Sequence, residues 1–157
     1  MTQTNYRNDL TLNEKVLMAI VRAAENFKRT HSAIFKQYGL SFPQYNILRV
    51  LESSHRGQNK ISTVGKIMLV PGANMTGLAK RLEQKGFIDR RPDPADERVT
   101  LLKITPKGKQ TLARIKDRKD AVIDHILQDF TLDDKTAMLD KVKQLIDATT
   151  DVNETVS

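Results

Sequence analysis

The side chains best suited to chemistry lie between residues 73 and 108. A charged, turn-forming tip, Asp93 to Arg98, precedes a short strand, Val99 to Ile104, that runs straight into Thr105-Pro106. An arginine at a hairpin tip, Arg98, suits a narrow, electronegative minor groove of DNA. Asp96 is placed to orient that guanidinium or to brace the turn by an Asx-type bond. A purely local salt bridge that shapes the hairpin is the other reading, and the two are compatible. Upstream, residues 73–85 form an amphipathic helix in which Met75, Leu78, Ala79 and Leu82 make one apolar face. The opposite face holds Ala73, Gly77, Lys80 and Gln84, flanked by Thr76 and Arg81. A glycine inside a helix costs roughly 1 kcal/mol relative to alanine, and close approach to base edges or phosphates gives a reason for it. Asn74 and Thr76 can hydrogen-bond bases or phosphates, and Lys80 and Arg81 can reach phosphates. Arg90 and Arg91 flank the hairpin as phosphate contacts or as an ordinary solvated strand end.

Other chemistries lack their residues. The three histidines, His31, His55 and His125, are scattered, and no HExxH, Gly-x-Ser-x-Gly or dinucleotide-binding glycine pattern occurs. Lys60 stands where the leading glycine of a phosphate loop would precede Gly65-Lys66. Asp124, His125 and Asp129 read as a hydrated acidic helix face rather than a metal site. The sequence thus points to no catalytic residues, no cofactor and no metal. With no cysteine, disulfides, thiolate metal sites and thiol redox sensing are excluded.

A chain of 157 residues suits a single domain with a real core. No run of about 18 apolar residues predicts a membrane span, and the polar start lacks a signal-peptide core. The expectation is a cytoplasmic protein with no membrane partner. The net charge of +7 is unevenly placed. Residues 1–59 carry 8 basic and 4 acidic side chains, residues 60–109 carry 11 and 5, and residues 110–157 carry 7 and 10, giving +4, +6 and −3. The positive excess peaks on the helix-and-hairpin segment, where it favours nucleic acid.

The remaining elements frame that segment. Residues 1–10 are polar and expected to fray. An apolar stripe from Leu17 to Tyr38 predicts one long helix ended by Gly39. Ser41 caps a second helix, with Pro43 in its first turn, and a polar loop, Ser53 to Lys60, follows. Ser62 caps a short third helix that Pro71-Gly72 breaks. Phe87 to Arg91 is a strand, Pro92 to Glu97 the turn, and Arg98 to Ile104 the returning strand. Thr105 caps a long helix with Pro106 at its first position. Thr131 caps a last helix, and Thr149 to Ser157 is expected to be loose. The two terminal stripes have few partners in so small a centre, which predicts a homodimer, with packing on the same chain as the alternative.

The spacing of Asp96, Arg98, Thr105 and Gly108, with the helix from Asn74 through Leu82 to Gly86-Phe87-Ile88, resembles the MarR family of bacterial transcriptional regulators. The resemblance covers roughly residues 12–148. It implies a mainly α fold with a small β-hairpin wing: a winged helix-turn-helix lobe over 41–105, with dimerisation helices at 12–38 and 106–148 of one domain, 1–157. It implies a homodimer on double-stranded DNA at a pseudo-palindromic operator, usually a repressor, released by a small anionic or phenolic effector. The lack of cysteine departs from peroxide-sensing branches, and three scattered histidines depart from zinc-sensing ones. His31, Tyr38, Tyr45 and Arg49 are the candidate lining of an effector pocket between the first two helices, each with an ordinary packing or surface explanation. The competing reading is a winged-helix protein–protein module that binds an acidic partner.

Overall fold

Thr11 opens the first helix because its side chain accepts from the Glu14 N–H while Glu14 accepts from the Thr11 N–H. In the computed structural model, which describes residues 9–157, this helix is α1, Leu12–Lys36. The expectation for residues 1–8 lies outside the described residues. The chain turns at Gly39, whose φ of +77° follows the N–H bonds of Gly39 to Lys36 and of Leu40 to Phe35. Helix α2, Phe42–Glu52, starts with a second reciprocal cap between Ser41 and Gln44. A 3-10 turn, His55–Gly57, leads into β1, Gln58–Lys60, and then come α3, Ile61–Met68, and α4, Gly72–Gln84. Strands β2, Ile88–Asp93, and β3, Asp96–Ile104, form the hairpin. Helices α5, Pro106–Ile126, and α6, Leu132–Val156, complete the order. Among the described residues no helix is long and apolar enough to cross a membrane.

The architecture is mainly helical with one antiparallel sheet, in the order β1-β3-β2. β1 lies in the stretch Ser53 to Lys60 whose polarity predicts a loop; instead Gln58 pairs with Lys103 and Lys60 with Leu101. Its three residues carry no apolar alternation, so only the partner strand makes them a strand. The ladder also sets the start of α3: Lys60 is its N-cap without a side-chain bond, two residues ahead of the expected cap, Ser62. The hairpin is tighter than expected. Its strands close around Pro94-Ala95, with a bulge at Pro92/Asp93. Asp93 accepts from the Ala95 N–H at 2.9 Å, which fixes the reversal.

Packing divides the chain within α5, into a unit ending at Lys119 and a second, Asp120–Ser157. The core of the first unit joins Phe35, Ile47, Leu48, Leu51, Val64, Met75, Leu82, Ile88, Leu102 and Ile115, each under 2 % exposed. In the second, Thr131 and Asp134 cap α6 reciprocally. The segment expected to be loose, Thr149 to Ser157, is helical as far as Val156. No glycine or proline interrupts it, and Thr149, Thr150 and Thr155 return their hydroxyls to carbonyls of the preceding turn.

Candidate nucleic-acid interface

Helix α4 is anchored by its apolar face and presents the other. Met75, Ala79 and Leu82 are at most 1 % exposed and Leu78 is buried beside them. Ala73, Asn74, Thr76, Lys80 and Arg81 are exposed and Gly77 is half-buried. The helix is seated by α3: a Cβ on Gly65 would lie 3.0 Å from Met75 Cγ and 3.3 Å from the Val70 carbonyl, so a side chain there would press both neighbours back by a few tenths of an ångström. The turn between them ends α3 with Leu69 at φ 53°, ψ 44°. A leucine in that left-handed conformation costs about 1 kcal/mol, and its side chain is exposed. Gly77 has no such internal reason. A Cβ there would meet only the Arg81 guanidinium at 3.7 Å, an ordinary contact. The glycine therefore keeps the outer surface low. Thr76 donates its hydroxyl to Gly72 O at 3.2 Å, which leaves its oxygen to accept.

The hairpin is fastened to α4 by a pair the sequence reading missed. Glu83 takes Arg90 through Nε at 3.0 Å and Nη2 at 2.9 Å, and its second oxygen accepts the Arg90 N–H at 3.2 Å. Arg90 is thus committed to holding the wing on the helix, whereas Arg91 is exposed. At the tip, Asp96 Oδ1 accepts from Arg98 N–H at 3.1 Å and from Nε at 3.0 Å, and Oδ2 accepts from Nη2 at 3.2 Å. Arg98 remains 90 % exposed, so it is oriented but not covered.

These two ion pairs, together with the cap of α6, predict an acid response. The Arg90 hydrogen bond holds the Glu83 carboxyl below the ordinary glutamate range. The Arg98 side chain and N–H do the same to Asp96, and the Thr131 N–H and hydroxyl to Asp134. A carboxyl lowered in the folded state stabilises it fully above its unfolded value, about 4, and loses that stabilisation as pH falls through the lowered one. Melting temperature should stay level from neutrality to about pH 5 and decline below about pH 4. Glu83→Gln should lower the neutral melting temperature and flatten that decline, as read by thermal melts across the range. An unchanged acid slope in Glu83→Gln would remove Glu83 as its source.

The four candidate effector residues do not converge. His31, 1 % exposed, and Tyr45, 7 % exposed, belong to one aromatic cluster. Tyr45 stacks on Phe35 at 3.8 Å between centroids, and His31 lies 3.9 Å from Phe27 and 5.9 Å from Phe35. His31 Nδ1 lies 2.9 Å from the Phe27 carbonyl, which can only accept, so Nδ1 carries the proton. Nε2 is buried with no hydrogen-bond partner. Tyr38 instead reaches the Arg114 carbonyl at 3.5 Å, with the Arg114 guanidinium 5.4 Å from its ring. Arg49 pairs with Glu52 on its own helix.

Beneath the hairpin, the Thr105 hydroxyl donates to Gly86 O at 2.6 Å and accepts the Gly108 N–H at 3.2 Å, capping α5. Gly108 then lies against the Phe87 carbonyl. Thr105 and Gly108 thus seat α5 against the loop that leads into the wing, while Asp96 and Arg98 shape its tip.

The transcriptional regulator SarA/Rot family matches residues 29–115, more than half of the chain. The HTH-type transcriptional regulator TtmR of Methylorubrum extorquens is 28 % identical over 149 residues, covering 94 % of this chain and 73 % of that protein. Sco3205, a MarR family transcriptional regulator from Streptomyces coelicolor solved in complex with DNA, superposes with a TM-score of 0.78 at 19 % identity, over 91 % of each chain. NadR, solved in complex with 4-hydroxyphenylacetate, superposes with a TM-score of 0.70 at 21 % identity, over 92 % of this chain and 96 % of its own.

Proposed function

The chain belongs to the SarA/Rot transcriptional regulators, DNA-binding proteins of the MarR family with a winged helix-turn-helix, and on that premise we propose that it is a homodimeric repressor of a pseudo-palindromic operator, released by a small anionic, phenolic ligand. The observation that carries the DNA part is the exposed outer face of α4 beside a wing tip whose arginine is oriented yet uncovered. Ala73, Asn74, Thr76 and Gly77 face base edges in the major groove. Lys80, Arg81 and Arg91 take phosphates, and Arg98, held by Asp96, enters the minor groove. Arg90 acts by positioning the wing through Glu83. Residues 41–105 form the DNA-binding lobe, with 12–38 and 106–148 pairing the copies.

Support for the dimer comes from apolar side chains left bare. On α1, Leu12, Val16, Leu17, Met18 and Val21 are 47–75 % exposed. On α6, Met138, Leu139, Val142 and Ile146 are 39–54 % exposed. Stripes of this size are covered in stable proteins, and a second copy covers both. Sedimentation should give a dimer at micromolar concentration, and a monomer there would end this reading.

Further measurements test the rest. Anisotropy titration on duplex DNA from upstream of the chain's own gene should show a steep salt dependence. Roughly 6–10 phosphate contacts from two lobes each contribute a log–log slope of about −0.9, and a footprint should cover two half-sites about one helical turn apart. An affinity indifferent to salt would count against the surface. Gly77→Ala should raise the melting temperature, since it gains helix propensity of up to about 1 kcal/mol without a clash. It should also weaken DNA binding. Unchanged DNA binding in that stabilised variant would show that the outer face of α4 does not meet DNA closely. Adding 4-hydroxyphenylacetate should lower the operator affinity, and no response to phenolic acids would leave a constitutive repressor.

A further inference from the structure

The C-terminal end of α4 is fastened to two other helices by hydrogen bonds. Gly86, at φ +78°, closes the helix: its N–H reaches the Glu83 carbonyl at 2.9 Å, and the Phe87 N–H reaches the Leu82 carbonyl at 3.0 Å. The next three carbonyls, of Lys85, Gly86 and Phe87, are all taken by the start of α5. Lys107 Nζ donates to the Lys85 carbonyl at 2.5 Å, the Thr105 hydroxyl to Gly86 at 2.6 Å and the Thr105 N–H to Phe87 at 3.0 Å. Lys107 lies across Gly86, where a Cβ would be 3.7 Å from its Cδ, and its ammonium stands 4.7 Å from the Phe87 ring centroid. A cation there also meets the negative end of the α4 dipole. From the cap residue of the same helix, Lys85 Nζ donates to the Gly39 carbonyl at 2.7 Å, in the turn that follows α1. The opposite end of α4 starts at Pro71, an N-cap without a side-chain bond.

We propose that Lys85 and Lys107 are positioning residues for DNA binding: they fix the tilt of α4 against α1 and α5, and with it the separation of the two α4 helices in a dimer, without touching DNA themselves. This rests on the dimeric, DNA-binding reading above. Apolar packing is non-directional, so the buried face of α4 holds the helix down while the polar ties set its angle. Both lysines are exposed, and neither has a carboxylate partner among the described ion pairs. Cutting a tie therefore costs little in folding. Its effect on geometry is larger. Helix α4 has 13 residues, about 20 Å at 1.5 Å per residue, so a tilt of about 5° at the tied end moves Ala73 by about 2 Å. Hydrogen bonds to base edges hold only over about 2.7–3.2 Å, so a displacement of that size breaks them.

Two readouts on the full chain test this. The chain has no cysteine, so Ala73→Cys gives each copy one attachment site for a nitroxide. Double electron–electron resonance on the labelled dimer should give one narrow distance. Adding Lys85→Met and Lys107→Met, which keep the stems and remove the donors, should broaden that distance or move it by roughly 2 Å. In anisotropy titrations of unlabelled protein on the footprinted upstream duplex, each methionine variant should bind about threefold more weakly and the double variant about tenfold, the scale of lost surface hydrogen bonds. Circular dichroism should be unaltered, and the log–log salt slope should match the parent because no phosphate contact is lost. Lys107→Arg keeps a donor and a cation and should bind as the parent does. A double variant with parental distances or parental DNA affinity would overturn the proposal. So would a salt slope reduced by about 0.9 for each lysine removed, which would make the lysines phosphate contacts. The two readouts separate this from the broader reading. Parental distances and affinity in a variant that binds DNA leave the regulator standing without the fastening. Broadened distances in a protein that binds no DNA keep the fastening and remove the regulator.

Discussion

Arg98→Ala should cost about 1–3 kcal/mol of operator binding per half-site and almost nothing in folding. The side chain is 90 % exposed and bonds only within the wing tip, so its removal should leave stability within about 0.5 kcal/mol. The DNA loss has two parts. One is the missing cation in a groove whose narrowness concentrates negative potential. The other is Asp96, whose charge the guanidinium now offsets and which would face phosphates alone. The double variant Asp96→Ala/Arg98→Ala should therefore bind better than Arg98→Ala, a coupling that a double-mutant cycle on anisotropy data reads directly. Lys80→Ala should differ in kind, weakening operator and unrelated DNA alike because a phosphate contact carries no base information. An Arg98→Ala protein with parental operator affinity would remove the wing from the interface.

What the sequence disclosed about this interface followed how local its signals are. Reciprocal caps such as Ser41 with Gln44 and Thr131 with Asp134 are complete within four residues, and both helix starts fall where those residues predict. The buried face of α4 is likewise a matter of spacing alone. β1 carries no signal of its own, since Gln58 to Lys60 become a strand only against residues more than forty positions away. The Glu83–Arg90 clamp escaped for a related reason. Its partners lie seven residues apart across Gly86 and meet only because that glycine, at φ +78°, folds the strand back along the helix. Arg90 consequently looked like a free cation in the sequence and is a fastening in the structure. Polarity misled at the other end, where Thr149 to Val156 is hydrophilic yet nothing in it breaks a helix.

Gly108→Ala should be the most damaging of the small substitutions, although the same change at Gly77 is expected to stabilise. A Cβ at Gly108 would lie 2.5 Å from the Phe87 carbonyl oxygen and 2.7 Å from Ile104 Cγ1. The isoleucine could rotate, but the carbonyl cannot yield cheaply. It accepts the Thr105 N–H at 3.0 Å, and Phe87 itself is 3 % exposed beneath the wing. Relief therefore requires α5 to shift away from the hairpin, which would strain the Thr105 bond to Gly86 and the packing of Leu112 and Ile115. Overpacking costs typically 1–3 kcal/mol, and a backbone obstacle places this case at about 3. The melting temperature should fall by roughly 6–12 °C for a chain of this size. Because α5 seats the wing, operator affinity should fall as well, even at temperatures where the variant is folded. Thermal melts beside anisotropy titrations read both effects, and a Gly108→Ala protein that melts with the parent would mean that α5 is free to move off the wing at little cost.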